Sequence, residues 1–318
     1  MELLTDGLLA LLTAYLAFRC MLAPKLSKTV FTFFAFGLIL ALMWIRLGAV
    51  DVAIAEAAIA SGFMGVLLLD SLRDFSPSYS EFEDNIEQPP NQVAFAKRSL
   101  SQWVPAIASG AGLLLFLFIA LQAVREVPAG GGLAAFAEAK LPESGAEHPV
   151  TAVLLNFRAY DTLLEVAVIL MGLLAIFAAG GIRQFRKPSL PPAKDPVLRK
   201  AILIFTPLLF LFGAFLLYIG KSGPGGAFQA AVLWGAIGIL LHLGGWRIFN
   251  ALSRRMRRII IIAGPLFFLL TGFALMARSG TFLAYPPAFA GFLILIIETL
   301  AAVSIAAALT AIYAFLTD

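Results

Sequence analysis

Nine apolar stretches, most close to 20 residues long, run through this chain: 3–21, 29–46, 51–70, 102–123, 158–182, 200–219, 227–247, 259–277 and 288–316. About 20 apolar residues in a helix span the roughly 30 Å hydrocarbon core of a bilayer. The chain is therefore predicted to be an all-α polytopic membrane protein of nine helices, multi-pass in the cell's inner (plasma) membrane. Composition agrees, with 61% hydrophobic and 13% charged residues, where soluble domains carry about 25% charged. The first stretch is flanked by Glu2 and Asp6 rather than by a basic segment, and no small-residue cleavage site follows it. It is read as a retained helix, not a cleaved signal. Cys20 is the one cysteine, so the chain forms no internal disulfide and cannot hold an iron–sulfur centre alone.

The basic residues set an expected orientation. Seventeen of the 23 Lys and Arg fall in alternate loops: Arg19 to Lys28, Arg73 to Arg98, Arg183 to Lys200 and Arg247 to Arg258. The positive-inside rule then places the N-terminus outside and the C-terminus in the cytoplasm. The net charge of +4 is thus a topology signal, and no nucleic-acid partner is expected. Two long loops, 71–101 and 124–157, and the proline-rich stretch Pro188 to Pro196 divide the chain. The expected blocks are 1–100 (three helices and an acidic cytoplasmic loop), 101–190 (two helices and an external loop) and 191–318 (four helices). Gly130-Gly131-Gly132 precedes no lysine-bearing helix start, so it reads as a flexible linker rather than a phosphate loop.

Three carboxylates, Glu56, Glu165 and Glu298, stand inside these spans. A charge near the bilayer centre costs roughly 3 to more than 10 kcal/mol, so each needs a partner, a wet cavity or a retained proton. Glu56 follows Asp51 among Ala, Ser and Gly, which let helices approach closely. Asp51 is open to two readings, a helix cap or a member of an ion path. Asp161 and Glu165 are four apart and share a helix face; Asp161 caps the helix or pairs with Arg158. Glu298 lies about ten residues from its helix end, near the midplane. Exposed amides in the turn Gly220-Lys221-Ser222-Gly223-Pro224-Gly225-Gly226-Ala227-Phe228-Gln229 could meet an anion or a carboxylate. Lys221 either snorkels or takes part in function. His242 is either interfacial or a proton relay. No H-E-x-x-H and no Ser/His or Cys/His arrangement is present, so an intramembrane enzyme is the least expected reading.

In this order the segments resemble the Mrp-type multisubunit Na⁺/H⁺ antiporter family and its relatives in membrane-bound hydrogenases. Gly48-Ala-Val-Asp51-Val-Ala-Ile-Ala-Glu56-Ala-Ala resembles the MbhD-like part of the MrpA C-terminal region. Asn156-Phe-Arg158-Ala-Tyr160-Asp161-Thr-Leu-Leu-Glu165 resembles the D-F-R-G-F-D-T-x-x-E stretch of the MbhE-like part. Gly220 to Gln229 resembles the G-H-x-x-P-G-G-G-F-Q turn of MrpB and MbhF, and Ile297-Glu298-Thr299 the acid-bearing last helix of that subunit. Lys221 stands where the family has His, Ala227 and Ala159 where it has Gly, and Asn156 where it has an acid.

The resemblance implies a fused MbhD–MbhE–MbhF-like subunit of a cation/proton antiporter module. Its ion or proton path would use Glu56, Glu165, Glu298, Asp51 and Asp161, with Lys221, His242 and Arg158 accessory. It implies no cofactor on this chain, and Na⁺, H⁺ or both as the ion handled. The partners would be other Mrp/Mbh-type membrane subunits, a large antiporter-like one among them, and hydrogenase-like redox subunits. The alternatives are a structural assembly subunit of a redox-driven complex and a stand-alone secondary transporter.

Overall fold

The computed structural model describes residues 2–23, 25–65, 67–68, 132–178, 196–246 and 251–317, with isolated positions 72, 111–112, 115, 118–119 and 122. These divide into two compact units, residues 1–74 with 139–318, and residues 75–138. Helix α4 (Gly132–Lys140) begins in the second unit; the first holds the other helices. The described residues form helices and turns only. Lipid offers backbone groups no hydrogen bonds, so a spanning segment must satisfy its own, as a helix does.

In chain order the helices are α1 (Glu2–Leu22), α2 (Leu26–Arg46) and α3 (Val50–Glu56, continued as a π-helix over Ala57–Phe63). After α4 come α5 (Pro149–Ala152, continued as a π-helix over Val153–Phe157), α6 (Ala159–Ala178), α7 (Pro196–Ile219), α8 (Ala227–Leu243), α9 (Arg254–Ser279) and α10 (Ala290–Thr317). Six of them, α1, α2, α6, α7, α9 and α10, are long and apolar enough to cross a membrane, while α8 is apolar but shorter. The chain is a polytopic, all-helical membrane protein. The structure supports six spans among the described residues, not the nine expected; the stretch 102–123 falls mostly outside them.

Residues 124–157, expected as a loop, contain α4 and α5. The alanine-rich run Leu133 to Lys140 has high helix propensity, and Pro149 sits at the first turn of α5, where its missing N–H is harmless.

The core is built around α10, the most buried span. It packs against α8 and α9, and also touches α6. The helices meet across small residues. A side chain at Gly235 would press on Leu309 at 3.2 Å, one at Gly238 would collide with Thr310, and one at Gly264 with Leu300, Ala301 and Ser304. Pro265 lies inside α9 and removes the N–H that would bond the Ile261 carbonyl four residues back. Ser304 of α10 donates its hydroxyl to that carbonyl, so one side chain repairs the break and ties two helices. Near the N-terminus α1 packs on α2, and α2 on α3. Asp6 and Arg46 pair at 2.7 Å across that hairpin.

Candidate functional site

The turn between α7 and α8 is the centre of the site. Its shape follows from two glycines. Gly225 (φ 155) and Gly226 (φ 130) adopt backbone conformations that side chains disfavour. A Cβ on Gly225 would also lie 2.4 Å from the Leu216 carbonyl oxygen. The Gly226 amide bonds Leu216 O at 2.9 Å, folding the turn back on α7. This leaves the Gly225 and Ala227 amides free to face carboxylates.

Both find one. Gly225 N–H donates to Asp51 Oδ1 at 2.9 Å. The Ala227 amide, at the start of α8, faces the Glu298 carboxylate. Glu298 is 3% exposed, and its Oε1 lies 3.3 Å from where a Gly226 Cβ would sit. The start of α8 carries the positive end of the helix dipole, so the buried carboxylate lies at the favourable pole. Gln229, one turn in, donates its side-chain amide to the Asp51 backbone oxygen at 3.2 Å.

A third segment closes the same turn. Glu147 and His148 donate their amides to the Lys221 carbonyl at 2.9 and 3.0 Å, and Thr151 donates its hydroxyl to Gly220 O. His148 Nε2 stands 3.7 Å from Asp51 Oδ2, within ion-pair reach when the imidazole is protonated. Its Nδ1 is buried and has no hydrogen-bond partner among the described residues. The loop that carries His148 is fixed at both ends. Asn156 Nδ2 donates to Ser144 O at 2.7 Å, and Gly145 lies so close to Gly291 that a Cβ on either would collide with the other's backbone.

The structure thus brings together Asp51, Glu298 and the glycine turn, and adds His148, Gln229 and Thr151. Gln229 stands at the end of the turn that the sequence singles out; for His148 the available signal is the His148-Pro149 pair set before a helix, and nothing in the local sequence marks Thr151. Asp51 does not cap its own helix: the N-cap of α3 is Ala49, without a side-chain bond. It binds a turn far along the chain instead.

The other expected residues lie elsewhere. Glu56 is half-buried where α3 turns from α to π geometry. Arg158 and Asp161 pair at 2.6 Å on an exposed face. Glu165, one turn deeper in α6, is exposed on the surface of this chain. Lys221 turns its side chain outward and contributes only its carbonyl. His242 stands near the far end of α8, edge-on to Tyr313 with centroids 5.7 Å apart. It is about 22 Å from the site along the helix.

Comparison with known proteins gives three family profiles in succession. Residues 10–77 match the profile of MbhD and residues 97–198 that of MbhE, both components of MBH. Residues 197–317 match a "domain related to MnhB subunit of Na+/H+ antiporter". No curated relative matches. Among solved structures, the Mrp complex from Dietzia sp. DQ12-45-1b is similar over 98% of this chain, with TM-score 0.74 and 22% identity. This chain spans 34% of the matched chain there. The membrane-bound sulfane sulfur reductase, an archaeal respiratory membrane complex, is similar over 67% of this chain and 98% of its own, with TM-score 0.54 and 20% identity. At these identities the likeness to solved structures is one of fold.

Proposed function

Because this chain belongs to the Mrp/Mbh-type family of multisubunit membrane complexes, we propose that it is a non-catalytic membrane subunit of an Mrp-like Na⁺/proton antiporter module. It would contribute an ion or proton path through intramembrane carboxylates. The observation that carries this reading is Glu298. It is a carboxylate buried within a span, about 12 Å along α10, and it faces the amide start of α8. Burying such a group is expensive, and in membrane proteins it marks ion and proton pathways. Asp51, His148 and Gln229 extend the polar track from Glu298 toward the end of the bundle. Carboxylate and amide oxygens are the hard ligands that Na⁺ favours.

Glu165 supports a multisubunit setting. It is exposed on this chain at membrane depth, where lipid gives a carboxylate nothing, and in this reading another subunit answers it. In this reading the Gly220–Gln229 end is external and the C-terminus cytoplasmic. The blocks 1–100, 101–190 and 191–318 are the functional divisions.

The test is exchange in vesicles carrying the assembled complex, with Glu298→Gln, Glu56→Gln and Glu165→Gln tested singly. Loss of Na⁺-dependent proton movement with intact assembly is expected. Full exchange in all three variants would refute the path.

A second reading is favoured by the Asp51–Gly225 bond, which ties distant segments: an assembly subunit of a redox-driven complex. Here the same substitutions, and Asp51→Asn, would release partner subunits instead of stopping exchange. Co-purification with redox subunits would set the module in a respiratory context. Exchange by the chain reconstituted alone would make it a transporter in its own right.

A further inference from the structure

The far end of α8 carries a cleft that the ion path does not use. Trp234, Ile237, Leu241, Trp246 and Leu252 wall a cavity of about 200 Å³, with His242 at its edge. Trp234 Nε1 is already donated to Phe210 O at 3.2 Å, so its polar edge is spent. A side chain at Gly238 would collide with Thr310, and its absence lets α8 and α10 close the cavity floor.

The mouth has the opposite character. The Arg199 guanidinium lies over the Trp246 ring, 5.0 Å from its centroid. Arg254, Arg255 and Arg258 are exposed on the first turns of α9, just after Leu252. The first turns of α7 and α9 carry no acid. An aromatic, apolar slot whose Trp246 wall carries the Arg199 guanidinium fits a molecule with an alkyl chain and an anionic head. A free phosphate would use only the mouth, and a neutral lipid only the slot. Basic pockets between transmembrane helices recognise anionic head groups in this manner.

We propose that this cleft is a binding site for an anionic phospholipid. One acyl chain lies against Trp234, Ile237 and Leu241, and the head-group phosphate rests on Arg199. The site is separate from the carboxylate path, its nearest wall at Trp234 lying about 10 Å along α8 from Ala227 and its far end about 22 Å.

The experiment is native mass spectrometry of the full chain in mild detergent, offered equal phosphatidylglycerol and phosphatidylcholine. Phosphatidylglycerol should be retained preferentially, by about fivefold for one arginine contact. Arg199→Gln should abolish the preference, and Ile237→Trp, which fills the slot, should abolish retention of either lipid. Arg199 is exposed, so its variant decides the matter even if Ile237→Trp fails to fold. Equal retention of the two lipids by the unaltered chain would overturn the proposal. So would undiminished phosphatidylglycerol in Arg199→Gln, or displacement of the lipid by millimolar inorganic phosphate, which would assign the mouth to a free anion.

Discussion

The Asp51 carboxylate accepts the Gly225 amide at 2.9 Å across 174 residues of chain. A charged acceptor on a backbone donor is worth about 1.5–3 kcal/mol, so Asp51→Ala should lower the stability of the purified chain by that order. Asp51→Asn keeps an acceptor oxygen and should lose less. Thermal unfolding in detergent measures both. Equal midpoints for the alanine variant and the unaltered chain would mean the tie contributes nothing.

Gly226 has φ 130 and ψ −170, a conformation that costs other residues about 1–3 kcal/mol. Gly226→Ala also brings a methyl to 3.3 Å from Glu298 Oε1. It should lower the melting temperature and impair any exchange that depends on Glu298. Gly223→Ala is the control in the same turn, since its Cβ would meet Ile219 Cγ1 at an ordinary 3.5 Å. A control as damaging as Gly226→Ala would point to general sensitivity of the turn.

Ser304 should matter because of Pro265. Ser304→Ala leaves the Ile261 carbonyl orphaned among helices, at a cost of about 1–2 kcal/mol. Pro265→Ala restores the missing N–H, so the serine substitution should cost less in that background. A double-mutant cycle reads this coupling directly, and strict additivity would show that the hydroxyl is not serving the proline gap.

Glu165 is expected to touch another subunit. In a Cys20→Ser background, a cysteine introduced at position 165 should cross-link to a different chain of the assembled complex. Glu165→Gln should leave the isolated chain's stability unchanged, because the group is exposed there. A link formed only within this chain would contradict the outward role.

Tyr285, in the loop between α9 and α10, has its hydroxyl buried without a hydrogen-bond partner among the described residues. Burial pushes its pKa above the ordinary 10.0. The folded state therefore holds the proton longer than the unfolded one. Stability is therefore insensitive to this group's ionisation below about pH 10 and falls as pH rises beyond. Tyr285→Phe should remove one late-ionising phenol from an absorbance titration near 295 nm. It should be neutral or stabilising at neutral pH, since it deletes an unpaired polar group.

The spans are legible because lipid imposes a length and an apolar character that sequence displays directly. α1, α2, α6, α7, α9 and α10 fall where the apolar runs predict. Their ends shift by a few residues where capping intervenes, as at Ser253, whose hydroxyl accepts the Met256 amide. The π-turns after Glu56 and Ala152 are not legible, since Ala57–Phe63 and Val153–Phe157 are too uniformly apolar to show a periodicity that an extra residue would interrupt. α4 is hidden because a glycine run, the usual mark of a linker, leads directly into its alanines.

Sequence by itself determined a membrane-embedded helical chain, the glycine turn and the presence of costly acids, because each is a local property of composition and spacing. Tertiary structure decided which acids meet. Asp51, His148, the turn and Glu298 come from four distant segments, and nothing in any one of them encodes the others' positions. Only the packing of α8 against α10, allowed by glycines too small to hold the helices apart, sets the buried carboxylate at the amide end of α8.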